Sequence, residues 1–269
     1  MRILLVEGNP RSLIEQGYPA YAQYFEDCLA TLDPSLSFAV ATPFEAPLSA
    51  ACLERIDGVV FTGSSTVFAT DAAEYEPQRA VMEMVFEHGI PSWGSCAGLQ
   101  LAAVVLGGTV GASPNGVEIG LAKDLVLTNA GQQHPMMRGR PGKKFAVPCI
   151  HRDEVRQLPR DAEVLAENDH SHVQAFVYNS TGVDFWGTQY HPELPTAAIA
   201  EGAQRLGYPP EFSQAIERAD QDVDAAAQYG TCPSALQLSE RALELSNWLM
   251  HVRAHINATA QHATQCARP

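Results

Sequence analysis

Short apolar runs alternate with stripes of helical period along the first hundred residues. Residues 3–6, Ile-Leu-Leu-Val, are continuously apolar, as in a strand covered by helices on both faces. Tyr21, Tyr24, Phe25, Cys28, Leu29 and Leu32 then fall on one side of a 3.6-residue period and predict a helix that begins near Tyr18. Residues 37–40 and 58–61 read as the second and third strands, the latter running into Thr62-Gly63-Ser64-Ser65. A helix over 79–88 keeps Val81, Met84 and Val85 on one side. Residues 90–93 make a fourth strand, and 97–106 a helix closed by Gly107-Gly108. This alternation predicts an α/β fold, a mainly parallel sheet with helices on both faces.

The pattern changes in the middle of the chain. Residues 116–120, 124–128, 144–147, 162–166, 173–178 and 184–189 are strand-like, with turn-rich pieces such as Asn129-Ala130-Gly131 and Arg140-Pro141-Gly142 between them. Several of these strands are expected to pair antiparallel at the sheet edge. After Pro195 the chain is helical again. A polar, acidic helix is expected over 214–228, and a longer one over 234–255 carrying Leu236, Leu238, Leu243, Leu245, Trp248 and Leu249. Trp248 should anchor that helix on the sheet, and residues 220–224 should form a solvated face. No internal repeat is found. The expected organisation is a core domain over 1–195 followed by a helical C-terminal extension over 196–269.

Charge narrows the partners. With 17 Lys+Arg against 31 Asp+Glu the formal net charge is −14, which argues against nucleic acid and anionic membranes. Apolar residues make up 46% of the chain and charged residues 18%, the balance of a packed protein. No apolar run approaches the ~20 residues of a membrane helix, and residues 1–7 are too short an apolar stretch for a signal peptide. A cytoplasmic location is therefore expected. Cys28, Cys52, Cys96, Cys149, Cys232 and Cys266 are widely spread with no C-x-x-C pair, so neither a disulfide framework nor a metal site is expected, and no cofactor. His170 and His172, on either side of Ser171, read as loop residues, and Trp93 as packing.

One stretch carries chemistry. Residues 89–100 run from a strand through Gly94-Ser95-Cys96-Ala97-Gly98 directly into a helix, the arrangement of a nucleophile elbow. Flanking glycines let the turn close, and a helix N-terminus favours thiolate on Cys96. The Ala97 N–H is free to face an oxyanion. Further on, Pro192 in Gln189-Tyr190-His191-Pro192-Glu193 disfavours helix, and in an extended chain His191 and Glu193 share a side. Nucleophile, base and orienting carboxylate are then all present for acyl transfer.

Together, these motifs resemble the class I (triad-type) glutamine amidotransferases. The loop Thr62-Gly63-Ser64-Ser65 is similar to the family's oxyanion loop, and Ile150-His151-Arg152-Asp153 to the Ser-His-Gly-Asp stretch of the GMP-synthetase-like branch. The resemblance covers roughly residues 1–195. It implies a flavodoxin-like three-layer α/β/α fold and hydrolysis of a γ-carboxamide through a γ-glutamyl thioester. By position it implies Cys96 as nucleophile, His191 as base and Glu193 as its partner, with Gly63 and Ala97 holding the oxyanion. Gln100, Ser64, Ser65, His151, Arg152 and Asp153 are the implied substrate-binding residues. Ile150 and Arg152 depart from the small residues of the pattern: Arg152 either pairs with the substrate α-carboxylate or reshapes the pocket, and the plain alternative is that His151-Arg152-Asp153 is a solvated turn. No P-loop and no second catalytic domain lies within the chain. Two functions fit: a stand-alone γ-glutamyl amide or peptide hydrolase, and a glutaminase subunit that hands ammonia to a separate synthetase. The segment 202–212 is expected to border the pocket and influence which leaving amine fits.

Overall fold

Alternation along the first strand explains the layering. In a computed structural model, which describes residues 1–266 and side chains as far as residue 259, β1 (Arg2–Val6) sends Ile3 and Leu5 to one face and Leu4 and Val6 to the other. The remaining strands are β2 (Ser37–Ala41), β3 (Gly58–Phe61), β4 (Ser92–Ser95), β5 (Thr109–Ala112), β6 (Glu118–Leu127) and β7 (Phe145–His151), then β8 (Asp153–Gln157), β9 (Ala162–Glu167), β10 (Ala175–Ser180) and β11 (Val183–Thr188). Nine of them form one sheet in the order β2-β1-β3-β4-β11-β10-β9-β6-β7. Pairings from β2 to β11 are parallel and those from β11 to β7 antiparallel, so the antiparallel part is as extensive as the parallel one.

Helices α1 (Arg11–Glu15), α2 (Tyr21–Leu32), α3 (Glu76–Glu87), α4 (Ala97–Val105) and α5 (Asn129–Gln133) belong to the first part of the chain. The C-terminal part supplies α6 (Thr196–Arg205), α7 (Pro210–Arg218), α8 (Val223–Ala227), α9 (Leu238–Arg241) and α10 (Leu243–Cys266). On one face, Phe25 and Leu29 of α2 and Leu245, Trp248 and Val252 of α10 pack with Ile3, Leu5, Trp93 and Trp186. On the other face, Val81, Met82 and Val85 of α3 and Leu99 and Ala102 of α4 cover Leu4, Val6, Val59 and Phe61. The result is a three-layer α/β/α fold. Trp248 is fully buried 6.4 Å from Trp93 and meets the open face of Gly58, so the last helix is anchored on the sheet as expected.

Several boundaries differ from the sequence reading, each for a local reason. Strand four begins at Ser92 and not at residue 90, because Pro91 has no N–H for the ladder. The expected strands 116–120 and 124–128 are one strand, β6, interrupted by a bulge between Ala122 and Leu125 where Asp124 turns to φ 57°. The pair β5–β8 forms a separate two-stranded sheet that periodicity did not reveal. The expected helix 214–228 is two, since Asp222 accepts from the N–H groups of Asp224 and Ala225 and starts α8 afresh. The one expected over 234–255 opens with short helical pieces before α10. Cys28, Cys52, Cys96, Cys149 and Cys232 are free thiols, and Cys266 lies outside the residues with described side chains. Among the described residues no helix is long and apolar enough to cross a membrane.

Candidate active site

The site lies at the carboxyl ends of β3, β4 and β11, where an α/β sheet of this kind places its ligands. β4 and β11 pair in parallel with Ser95 opposite Thr188, which brings the segments after them side by side. Cys96 donates its N–H to Thr188 O at 2.8 Å and then enters α4. Its backbone sits at φ 51°, ψ −105°, a strained conformation for a residue with a Cβ. Glycine on either side is obligatory: a β-carbon at Gly94 would lie 2.6 Å from the Gly98 carbonyl carbon, and one at Gly98 2.2 Å from the Phe61 carbonyl oxygen. The thiol is buried and faces the carbonyl of Ile150 at 3.7 Å.

On the neighbouring segment, His191 Nδ1 lies 2.7 Å from Glu193 Oε1, both residues being buried. Nε2, the other ring nitrogen, is buried with no oxygen or nitrogen partner, and the Cys96 side chain is the neighbour that perturbs it. Burial works against a charged imidazole, but the Glu193 carboxylate and the Cys96 side chain outweigh it and push His191 up to about 10. The imidazole is thus held in its protonated form around neutrality, with its free nitrogen toward the sulfur. The ring's orientation is fixed by the carboxylate.

Gly63 follows β3 and closes over the ring: a β-carbon there would lie 2.8 Å from His191 Cε1. Its N–H, like that of Ala97, the first residue of α4 with no carbonyl a turn earlier to bond, donates to no other group. Ser64 and Ser65 line the same cavity and are tied to the buried Asn9, whose Oδ1 accepts from Ser65 N at 2.7 Å. Gln100 also lines it, but spends its amide on Asp153 O (2.7 Å) and Gln189 Oε1 (3.1 Å), buttressing the wall. Arg152 reaches the cavity with its guanidinium closed on the carboxylate of Asp153 at 2.9 and 2.7 Å. His151 turns its ring away, to Glu118 at 2.8 Å.

Three contributors had no signature in the sequence. Tyr21 stacks on His191 with ring centroids 6.3 Å apart and bonds Ser65 Oγ at 3.1 Å. Burial above all pushes its phenol well up, so it stays protonated. Ser95, one residue before the cysteine, donates to Glu193 Oε2. Glu118 gathers His151, Asn168, Gln174 and Cys149 around one carboxylate. Glu118, Cys149 and His151 have the donor atoms of a metal site, within 4.8 Å of one another. That carboxylate is already filled by hydrogen bonds, however, and burial pushes the Cys149 thiol well up, so the cluster is a hydrogen-bonded network that fixes the strand carrying Ile150. His170 and His172 lie in the loop before β10, the latter exposed beside Glu167.

Cys96 and His191 open onto a cavity of about 310 Å³, at the lower end of the size range of small-molecule sites. A cysteine on a strand–helix elbow, beside a buried His–Glu pair, has the parts of a nucleophilic acyl-transfer enzyme. The family model of the class-I glutamine amidotransferases matches residues 20–198, and the chain belongs to that family. It is 30% identical over 284 aligned residues to the gamma-glutamyl-L-1-hydroxyisopropylamide hydrolase of a Pseudomonas species, covering 94% of this chain and 93% of that one. It is 33% identical over 153 residues to the glutamine-hydrolysing GMP synthase of Symbiobacterium thermophilum, 56% of this chain but only 27% of the larger enzyme. A glutamine amidotransferase of Thermotoga maritima shares the fold, with a TM-score of 0.65, 19% identity and coverage of 94% of this chain and 97% of that one.

Proposed function

We propose that the chain is a stand-alone hydrolase of γ-glutamyl amides. The observation that carries this reading is the Cys96 elbow facing the His191–Glu193 pair at the floor of a cavity, in a chain whose likeness to a γ-glutamyl amide hydrolase runs almost end to end. Cys96 Sγ adds to the γ-carboxamide carbon, and the oxyanion receives the N–H groups of Gly63 and Ala97. His191 passes its proton to the leaving nitrogen, the C–N bond breaks, and the amine departs from a γ-glutamyl thioester. Water then attacks the thioester carbon, His191 takes a proton from it, and glutamate leaves as the C–S bond breaks and the Cys96 thiolate is restored beside protonated His191. Glu193 keeps the imidazole in place throughout. Gln100, Ser64, Ser65, Arg152 and Asp153 make the wall against which the glutamyl group is held, and His151 supports it from behind.

In this reading residues 1–195 form the catalytic unit and 196–269 an extension docked on it, working in the cytoplasm without a cofactor. The direct test is release of glutamate and amine by the purified chain from a panel of γ-glutamyl amides, with Cys96→Ala as control. A glutamine-derived chloroketone should label Cys96 alone among the cysteines. No release from any γ-glutamyl compound, or undiminished release by Cys96→Ala, would refute the reading.

The second reading, a glutaminase subunit serving a separate synthetase, draws on likeness to a subunit of the glutamine-hydrolysing GMP synthase of Thermococcus kodakarensis. The two are 30% identical over 152 residues, which are 56% of this chain and 74% of that one. This reading requires glutamine as the best substrate and turnover that rises when a partner and acceptor are supplied.

A further inference from the structure

The cavity draws its lining from two parts of the chain. Gln100, Arg152 and Asp153 stand on the side of α4 and β8. The segment Tyr18–Tyr24, whose Tyr21 stacks on His191, and helix α6, which begins three residues after Glu193, form the wall adjoining His191. The nitrogen that departs must take its proton from His191, so the leaving amine faces this second wall.

That wall is apolar and closely built. Ala198 and Gly202 present small residues one turn apart, and a β-carbon at Gly202 would lie 2.8 Å from Cδ1 of Ile150, the residue whose carbonyl faces the catalytic sulfur. Tyr18 and Tyr24 supply aromatic surface, and Leu206 closes the end. The apolar surface continues to the mouth. Among the described residues six large hydrophobics are exposed, and Val67, Val117 and Leu206, at 84, 39 and 56% exposure, all border this one opening. Solitary exposed apolar residues are ordinary, but three around one mouth mark a contact surface. The charges nearby are balanced or engaged. Arg152 is closed on Asp153, and Arg205 lies over the Tyr18 ring, one turn from Glu201 on the same helix. A carboxylate on the leaving group would meet Glu201, while Arg205, the one cation on this helix, is held by the Tyr18 ring and the Gly17 carbonyl.

We infer that α6 and Tyr18–Tyr24 form a leaving-amine subsite for amines larger than ammonia whose aliphatic or aromatic body bears no further charged group. This inference rests on the γ-glutamyl hydrolase reading and names its substrate class: γ-glutamyl amides of apolar primary amines, cleaved by water to glutamate and the free amine. The segment 202–212 takes part only through Gly202, Arg205 and Leu206. Tyr208 and Phe212, expected at the pocket, stack on each other at 4.9 Å outside it.

The test compares kcat/KM of the full chain for four substrates: glutamine, γ-glutamyl isobutylamide, γ-glutamylglycine and the mono-γ-glutamyl amide of 1,4-diaminobutane. The isobutylamide is expected to exceed each of the other three by about tenfold or more, since one well-filled apolar group is worth roughly that factor. Ala198→Leu, which fills the wall, should lower the isobutylamide-to-glutamine ratio about tenfold. Leu206→Asp, exposed and so without risk to folding, should lower the ratio of isobutylamide to the diamine derivative. Glutamine or a charged amide as best substrate, or ratios unmoved by Leu206→Asp, would overturn the subsite while leaving γ-glutamyl hydrolysis intact. Absence of turnover on all four would instead overturn the hydrolase reading and the subsite with it.

Discussion

Ser95 Oγ donates a 3.1 Å hydrogen bond to Oε2 of Glu193, a residue 98 positions further along the chain, whose other oxygen lies 2.7 Å from Nδ1 of His191. The indole of Trp93 in turn donates to Ser95 Oγ at 3.0 Å. A buried relay therefore runs from the sheet interior to the imidazole beside Cys96. Ser95→Ala removes one donor from a buried carboxylate and leaves the indole N–H unpaired. It is expected to lower stability by about 1–3 kcal/mol and kcat by about tenfold, the latter matching a loss near 1.4 kcal/mol. Urea unfolding and steady-state kinetics check both. Unchanged kcat would show that Glu193 needs no support from β4.

The elbow stores strain at its nucleophile. A residue held in a sparsely populated backbone region costs about 1–3 kcal/mol, and Cys96 at φ 51° and ψ −105° is such a residue. Cys96→Gly is expected to be inactive and yet melt above Cys96→Ala, because glycine alone reaches this conformation without penalty. Differential scanning calorimetry of the two variants measures the gap. Equal melting temperatures would show that the turn is unstrained.

Gly63 shares its space with the base. Since a β-carbon there would lie 2.8 Å from His191 Cε1, Gly63→Ala must move either the loop or the ring. Either outcome misplaces an oxyanion donor or the base, and kcat/KM is expected to fall by about a hundredfold or more, with circular dichroism unchanged. Activity within a few-fold of wild type would remove Gly63 from the oxyanion role.

His191 links activity to pH-dependent stability. In the folded chain it holds its proton up to about 10, against 6.5 for ordinary imidazole, because Glu193 and Cys96 outweigh burial. A raised folded value means the stabilisation is complete below about pH 6.5 and is lost as pH rises toward 10. The difference in melting temperature between wild type and His191→Gln should therefore shrink steadily across that window. In Glu193→Gln, which lacks the main charge favouring imidazolium, the decline should begin at lower pH. A wild-type difference that stays flat from pH 6.5 to 10 would contradict the assignment.

How much of this was legible in the sequence follows from how local each signal is. The elbow, the parallel strands and the His–Pro–Glu segment carry their own periodicity or spacing, and their placement follows from short-range rules. Ser95 carries no signal of its own between Gly94 and Cys96, because its partner is brought beside it only by the pairing of β4 with β11. Tyr21 read as one member of an apolar helix stripe, though it turns one edge toward Ser65. The β5–β8 pair was hidden because Asp153-Glu154-Val155 alternates too briefly to distinguish from a turn, and its partner strand contains Gly111. Arg140 sat in a Pro–Gly turn and gave no hint of its destination.

That destination is the last helix. Arg140 is fully engaged with Glu244 of α10, at 2.7 and 2.6 Å, with their side chains only 4 and 0% exposed, and Tyr190 donates to the same carboxylate at 2.8 Å. Burial disfavours the guanidinium charge, but Glu244 more than restores it. Tyr190 precedes His191, so this pair ties the docked helix to the backbone that carries the base. A buried ion pair that loses one member leaves the other charge uncompensated, at a cost of about 3–5 kcal/mol. Glu244→Ala is therefore expected to destabilise the protein by about that amount and to loosen α10. Replacing both partners by apolar residues of similar size, Arg140→Met with Glu244→Leu, should recover much of the loss, because no charge then remains buried. The Tyr190 hydroxyl stays unpaired in that double variant, so its kcat should remain below wild type even where its melting temperature recovers. If Glu244→Ala unfolds at the same urea concentration as wild type, the pair contributes nothing to docking. If the double variant is less stable than either single one, the attraction within the pair exceeds its desolvation cost, and the helix is held electrostatically instead of by its Leu245 and Trp248 face.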